Sequence, residues 1–178
     1  DFRKTWQTGS HDQFVAHVAA GVIWAYGNSE SAPYGEQFYV GGANSIRAFN
    51  VRSIGPGAYS TDQTRLSYMD QTGDIKLQAN LEYRPRLFGN LYGAVFLDAG
   101  NVWALHNDGY RSSSQLKMNN LLKETALGTG IGVRYDLDFF VIRVDWGIGL
   151  HVPYKSGFYN IGKFKDGQCL HLAIGYPF

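Results

Sequence analysis

Charged residues and glycines alternate with apolar residues in two runs of this chain. Leu127-Thr129-Ile131-Val133-Tyr135-Leu137 interleaves with Gly128, Gly130, Gly132, Arg134 and Asp136. Phe140-Ile142-Val144-Trp146-Ile148-Leu150 interleaves with Arg143, Asp145, Gly147 and Gly149. At a spacing of two, Arg134, Asp136, Arg143 and Asp145 share one face of pleated strands. Groups so placed can pair across strands or give a pore an anion preference. Nothing around them suggests proton transfer or nucleophilic attack. The five histidines (His11, His17, His106, His151, His171) lack zinc-ligand spacing. Asp136-x-Asp138 suits a solvated turn better than a calcium site. There is no Gly-x-Ser-x-Gly elbow and no Ser/His/Asp set. Gly128-x-Gly130-x-Gly132 repeats with period two inside a strand and no helix follows, so it is not a nucleotide loop. The sequence therefore predicts no catalytic residue, no metal, no cofactor and no enzymatic activity.

Six alternating segments must position these charges. They are Phe14–Tyr26, Leu77–Arg84, Leu91–Asn101, Leu127–Leu137, Phe140–Leu150 and the terminal Leu170–Phe178. Several are as long as the roughly 9–11 residues that cross a bilayer when tilted, against about 5–6 for strands in water-soluble domains. Each has one apolar face. In the fourth and fifth the opposite face is charged or glycine-rich, where a small soluble barrel would be filled with aliphatic side chains. An apolar face against lipid and a polar face lining a wet lumen fit this pattern. The connections alternate too. Arg84 to Asn90 and Asp136 to Phe140 are short, whereas Gly27–Asp74, Val102–Ala126 and His151–Gln168 are long, as at the two rims of an outer-membrane barrel.

Composition agrees. The 178 residues suffice for one domain, with no run approaching the roughly 18 apolar residues of a spanning helix. With 22 Gly, 12 Tyr, 11 Phe and 4 Trp, the chain suits sheets with close backbone approaches and interfacial aromatics. A net charge of +1 with scattered basic residues gives no reason to expect nucleic acid. Cys169 is the single cysteine, which excludes an internal disulfide. Asp1-Phe2-Arg3-Lys4 lacks an apolar leader, so either a signal has been removed or the chain is part of a longer one.

The long segment includes Phe38-Tyr39-Val40-Gly41-Gly42-Ala43-Asn44-Ser45-Ile46-Arg47-Ala48-Phe49, then Gly55-Pro56-Gly57. It is too apolar for a freely solvated loop. It either docks inside the barrel, where Arg47 needs an anionic or aromatic partner, or it is a surface loop with two glycine turns.

Ile46-Arg47-Ala48-Phe49 resembles the Val-Arg-Gly-Phe loop motif of the outer-membrane assembly-factor superfamily, the BamA- and TamA-like group that includes bacterial surface antigens. In that superfamily the motif arginine reaches a strand reading Phe-x-Asp-x-Gly, and Phe96-Leu97-Asp98-Ala99-Gly100 matches it. Gly128 to Tyr135 and Arg143-x-Asp145 resemble the penultimate hairpin. Leu170, Leu172, Ile174, Gly175, Tyr176 and Phe178 resemble the C-terminal recognition signal and seam. Ala48 departs from the motif glycine, and alanine has no inexpensive positive φ.

The resemblance covers about residues 12–178. It implies an all-β transmembrane antiparallel β-barrel, with these residues as the last six strands of sixteen. Residues 1–178 then form the C-terminal part of one barrel domain, with a lumen-docked loop at about 27–75 and no second domain. It implies the outer membrane of a Gram-negative bacterium. The expected partners are the lipid bilayer, the remaining barrel strands, client outer-membrane proteins and accessory subunits. The implied function is insertion or translocation of other outer-membrane or surface proteins through a lateral seam. A polypeptide-secretion or solute pore and a barrel-anchored surface antigen are the alternatives.

Overall fold

The computed structural model describes residues 1–29, 32–60, 71–106, 109, 111, 113–162 and 164–178. Eight strands form one sheet: β1 (Phe2–Gln7), β2 (Gln13–Val22), β3 (Ile75–Arg84), β4 (Arg86–Phe88), β5 (Leu91–Trp103), β6 (Ala126–Asp136), β7 (Val141–His151) and β8 (Gln168–Ile174). The order is β1-β2-β3-β5-β6-β7-β8, with the short β4 pairing onto β5, and every pair is antiparallel. β1 and β8 are the two edges, so the sheet is an open segment of a barrel wall. No helix among the described residues is long and apolar enough to cross a membrane.

Period-two alternation sorts the side chains onto two faces. Val95, Ile131 and Leu172 are 52%, 55% and 76% exposed, whereas Asp98, Arg134 and Arg143 are 0%, 0% and 1% exposed. Cross-strand register keeps the buried set together: Asn80 faces Asp98, Phe96 faces Gly130, Gly132 faces Asp145, and Asp145 faces His171. An apolar face left uncovered is costly in water and suits acyl chains.

The inner face is covered by chain rather than open. Val40, Ile46, Ala48, Phe49 and Ile54 of the β2–β3 connection pack with Val102, Ala126 and Val152 of the sheet and its neighbouring loops. The polar face lies beneath this docked loop.

Other departures from the sequence reading have local causes. β1 escapes periodicity because Lys4 interrupts Phe2 and Trp6 on its outer face, and β4 is only three residues long. β2 ends at Val22 rather than Tyr26, although the Ile23 amide still reaches the Asp74 carbonyl at 2.8 Å. β8 ends at Ile174, not Phe178. Gly175 adopts φ +84°, a conformation that glycine takes without steric cost, and the chain leaves the strand there. Tyr176 and Phe178 therefore do not continue the lipid face.

Candidate functional site: a loop held on the inner face of the sheet

Residues 46–49 form a tight turn closed by the Phe49 amide on the Ile46 carbonyl (3.1 Å), and the Gly42 amide donates to the Phe49 carbonyl (2.8 Å). Ile46 and Phe49 bury their side chains in the core, which aims Arg47 the other way, into the sheet. Its backbone amide and Nε both donate to Asp98 Oδ2, at 3.0 and 2.8 Å, and Nη2 donates to Oδ1 at 2.9 Å. Nη1 pairs with Glu82. The guanidinium carbon lies 3.7 Å from the centre of the Phe96 ring. Burial works against the Arg47 charge, but the hydrogen bond and charge of Asp98, with those of Glu82, outweigh it and raise its pKa above the ordinary value.

Asp98 also accepts from Asn80 Nδ2 (2.8 Å), which donates as well to the Ser45 carbonyl (2.8 Å), while Ser45 Oγ donates to Gln78 (2.8 Å). Glu82 gathers Arg84 Nε (2.6 Å) and Arg134 Nε (3.2 Å) on one carboxylate oxygen. Arg134 Nη1 lies 2.5 Å from Asp145 Oδ1. Arg143 Nη1 donates to Asp145 Oδ2 and to the Ala43 carbonyl, both at 2.8 Å, and Nη2 pairs with Asn44. The loop is thus tied to three strands, β3, β5 and β7, by ionic and amide groups that are nearly all dry. Buried charges persist in such places only when paired and hydrogen-bonded.

The glycine stripes explain how a backbone can come this close. A Cβ on Gly147 would lie 2.7 Å from Ala48 Cα and press on the Arg47 carbonyl, and one on Gly128 would overlap the Ala48 methyl. Ala48 does not take a positive φ, so alanine fits where the motif has glycine. At Gly100 the crowding lies within the sheet itself. A Cβ there would meet the Leu77 carbonyl at 2.6 Å, so this glycine sets the approach of β3 to β5.

Arg47, Phe96 and Asp98 converge, as do Arg134, Arg143 and Asp145. Asp136 does not join them. It sits at the end of β6 and accepts from the Asp138 amide (2.9 Å), closing the turn to β7. Asp145 is the carboxylate that pairs with Arg134 and Arg143, because the strand leaves the interior at Asp136. Asp136→Asn is therefore expected to change stability by no more than about 0.5 kcal/mol, and Asp145→Asn by several times that. Urea titration read by heat-modifiable electrophoretic mobility checks both.

The terminal segment divides in two. Leu170, Leu172 and Ile174 face outward, 71–76% exposed. Beyond Gly175 the chain bends inward. The Phe178 ring stacks on His17 with centroids 5.0 Å apart, and it lies 5.4 Å from the Arg47 guanidinium; the Tyr176 ring lies 4.4 Å from that of Arg84. His171 Nε2 donates to the Arg47 carbonyl (3.0 Å), so β8 also touches the loop motif.

Sequence reasoning did not select Glu82, Asn80, Gln78, Asn44 or Ser45 as site residues. The signal existed for the first three, because Gln78-x-Asn80-x-Glu82-x-Arg84 is a wholly polar face on an otherwise apolar strand. Among the described residues no cluster of His, Cys, Asp and Glu could hold a metal ion.

The chain is similar to several proteins of known family. It is 27% identical over 108 residues to the outer membrane protein assembly factor BamA of Neisseria meningitidis, covering 57% of this chain and 13% of that protein. It is 24% identical over 164 residues to the human sorting and assembly machinery component 50 homolog, covering 90% of this chain and 29% of that one. It thus spans less than a third of these relatives. Its fold matches the crystal structure of BamA from Haemophilus ducreyi lacking POTRA domains 1–3, with a TM-score of 0.63 at 18% identity over 97% of this chain and 34% of that one. It also matches CdiB from Acinetobacter baumannii, with a TM-score of 0.54 at 16% identity over 97% of this chain and 25% of that one. Residues 2–168 match the Omp85 superfamily domain. The chain belongs to the Omp85 superfamily.

Proposed function

We propose that these residues are the C-terminal part of a sixteen-stranded outer-membrane barrel that inserts or translocates other outer-membrane or surface proteins. Membership of the superfamily supports insertion or translocation at an outer membrane; a Gram-negative source and the lateral seam belong to our reading. The action is non-covalent and needs no cofactor. The terminal strand meets the barrel's first strand, the seam between them opens, and an incoming strand pairs with the freed edge by β-augmentation. Such an edge cannot stay bare in hydrocarbon, where unpaired backbone groups are costly, so client and closing strand compete for it. The clients are unfolded barrel or surface proteins, and accessory subunits and lipid are the further partners.

The observation that carries this reading is the early end of β8. Its pairing to β7 stops at Ile142 and Ile174, Gly175 turns away with its amide on the Val141 carbonyl (2.7 Å), and Pro177 has no amide hydrogen to donate. A strand that ends early leaves its far edge with few closing hydrogen bonds. Because the docked loop fills the inner face, an open solute pore is the less favoured reading of this conformation.

Gly175→Val with Pro177→Thr restores strand-forming residues at the end of β8. In proteoliposomes containing the full parent protein, the double variant is expected to fold normally and insert client barrels several-fold more slowly. An unchanged insertion rate in a correctly folded variant would refute the seam.

A further inference from the structure

Two arginines at the short-turn mouth of the inner face are left half-used. Arg84 is the last residue of β3 and Arg134 lies two residues before the end of β6. Both approach the same atom, Glu82 Oε1, through Nε, at 2.6 and 3.2 Å. In a guanidinium, Nε–H and one Nη group form a single flat edge that receives a two-oxygen anion. One carboxylate oxygen shared between two such edges cannot also satisfy the second nitrogen of each. Arg84 Nη2 and Arg134 Nη2 are indeed buried with no hydrogen-bond partner among the described residues. Their side chains are 7% and 0% exposed.

The charges point the same way. In the network described above, four guanidiniums (Arg47, Arg84, Arg134, Arg143) face three carboxylates (Glu82, Asp98, Asp145). A water molecule could take up the two N–H groups, but it would leave a buried positive charge without a counter-ion, which is far more costly than an unmade neutral hydrogen bond. The Tyr176 ring, 4.4 Å from the Arg84 guanidinium, softens that charge without cancelling it.

We propose that Arg84 and Arg134 together form an anion site, which holds one oxyanion of carboxylate or phosphate size beside Glu82. The oxyanion bridges the two Nη2 groups and completes the charge balance at the short-turn mouth. Two sources share this chemistry: a carboxylate side chain from another part of the parent polypeptide, or a free anion such as inorganic phosphate.

The test uses the full parent chain in detergent. Its unfolding midpoint is read by heat-modifiable mobility, in phosphate-free buffer and with rising inorganic phosphate at constant ionic strength. Wild type is compared with Arg84→Gln and Arg84→Lys, the second keeping the charge but not the two-nitrogen edge. A free-anion site predicts a midpoint that rises by several degrees with phosphate in wild type, less in Arg84→Lys and not at all in Arg84→Gln. A resident carboxylate predicts a midpoint that ignores phosphate and falls in both variants, most in Arg84→Gln. The proposal is overturned if phosphate has no effect and Arg84→Gln is as stable as wild type or more so, because the one guanidinium in excess of the buried carboxylates is then better removed.

Discussion

Arg47→Ala is expected to abolish docking of the loop and to lower the stability of the barrel by about 3–5 kcal/mol, the usual result of removing one partner from a buried ion pair. The cause is what remains behind. Asp98 and Glu82 are fully buried and would each lose an arginine contact, Asp98 losing two hydrogen bonds at once. The Arg47 amide survives the substitution but then donates to a carboxylate that lacks its charge partner. Arg47→Lys is expected to recover only part of the loss, since a single ammonium cannot present the fork that meets both oxygens of Asp98 and reaches Glu82 as well. Urea titration of the full parent protein, with its abundance in the membrane, measures the effect. A midpoint for Arg47→Ala within error of wild type would remove the pair from any structural role.

Gly147→Leu is expected to be comparably severe by an independent route. The space a side chain would need at Gly147 is occupied by the Arg47 carbonyl and Ala48 Cα, which are backbone and cannot swing aside. The loop must lift, and Arg47 leaves Asp98 as it does so. Overpacking a core commonly costs about 1–3 kcal/mol; here the loss of the ion pair adds to it. Gly149 is the internal control. A Cβ there meets the Ile161 and Phe49 side chains, which can move, so Gly149→Ala should be milder than Gly147→Ala. Because Gly147→Leu and Arg47→Ala break the same contact, their effects should fall well short of additive. Strict additivity would show that the loop is not held as a unit.

The faces of the sheet were legible because period-two alternation is a local property that each strand carries by itself. Leu81, Val95, Ile131 and Leu172 declare the outer face without knowledge of any partner. The convergence of Arg47 on Asp98 was legible only through the resemblance of two short motifs 51 residues apart. The third member, Glu82, was hidden because nothing in a sequence says which carboxylate on a polar face will meet a given arginine; that depends on the register of β3 with β5. Asp136 misled for the complementary reason. It keeps the alternation of β6 but lies one step too far along, where the strand becomes a turn. The inward bend after Ile174 was obscured because Tyr176 and Phe178 preserve an apolar rhythm that a single glycine in a left-handed conformation breaks. The use of Gly128 and Gly147 as clearance for a passing backbone became visible only once that backbone was in place.

The central claim is that the apolar face meets lipid while the arginine- and aspartate-bearing face is sealed under the loop. Spin labels placed singly at Ile131, Val144 and Leu172, and at Ala94 on the inner face, in a Cys169→Ser form of the full protein in bilayers, measure this through collision with oxygen and with a water-soluble nickel complex. The account predicts high oxygen and low nickel accessibility at the three outer positions, and low accessibility to both at Ala94. High nickel accessibility at Ile131, Val144 and Leu172 would contradict it.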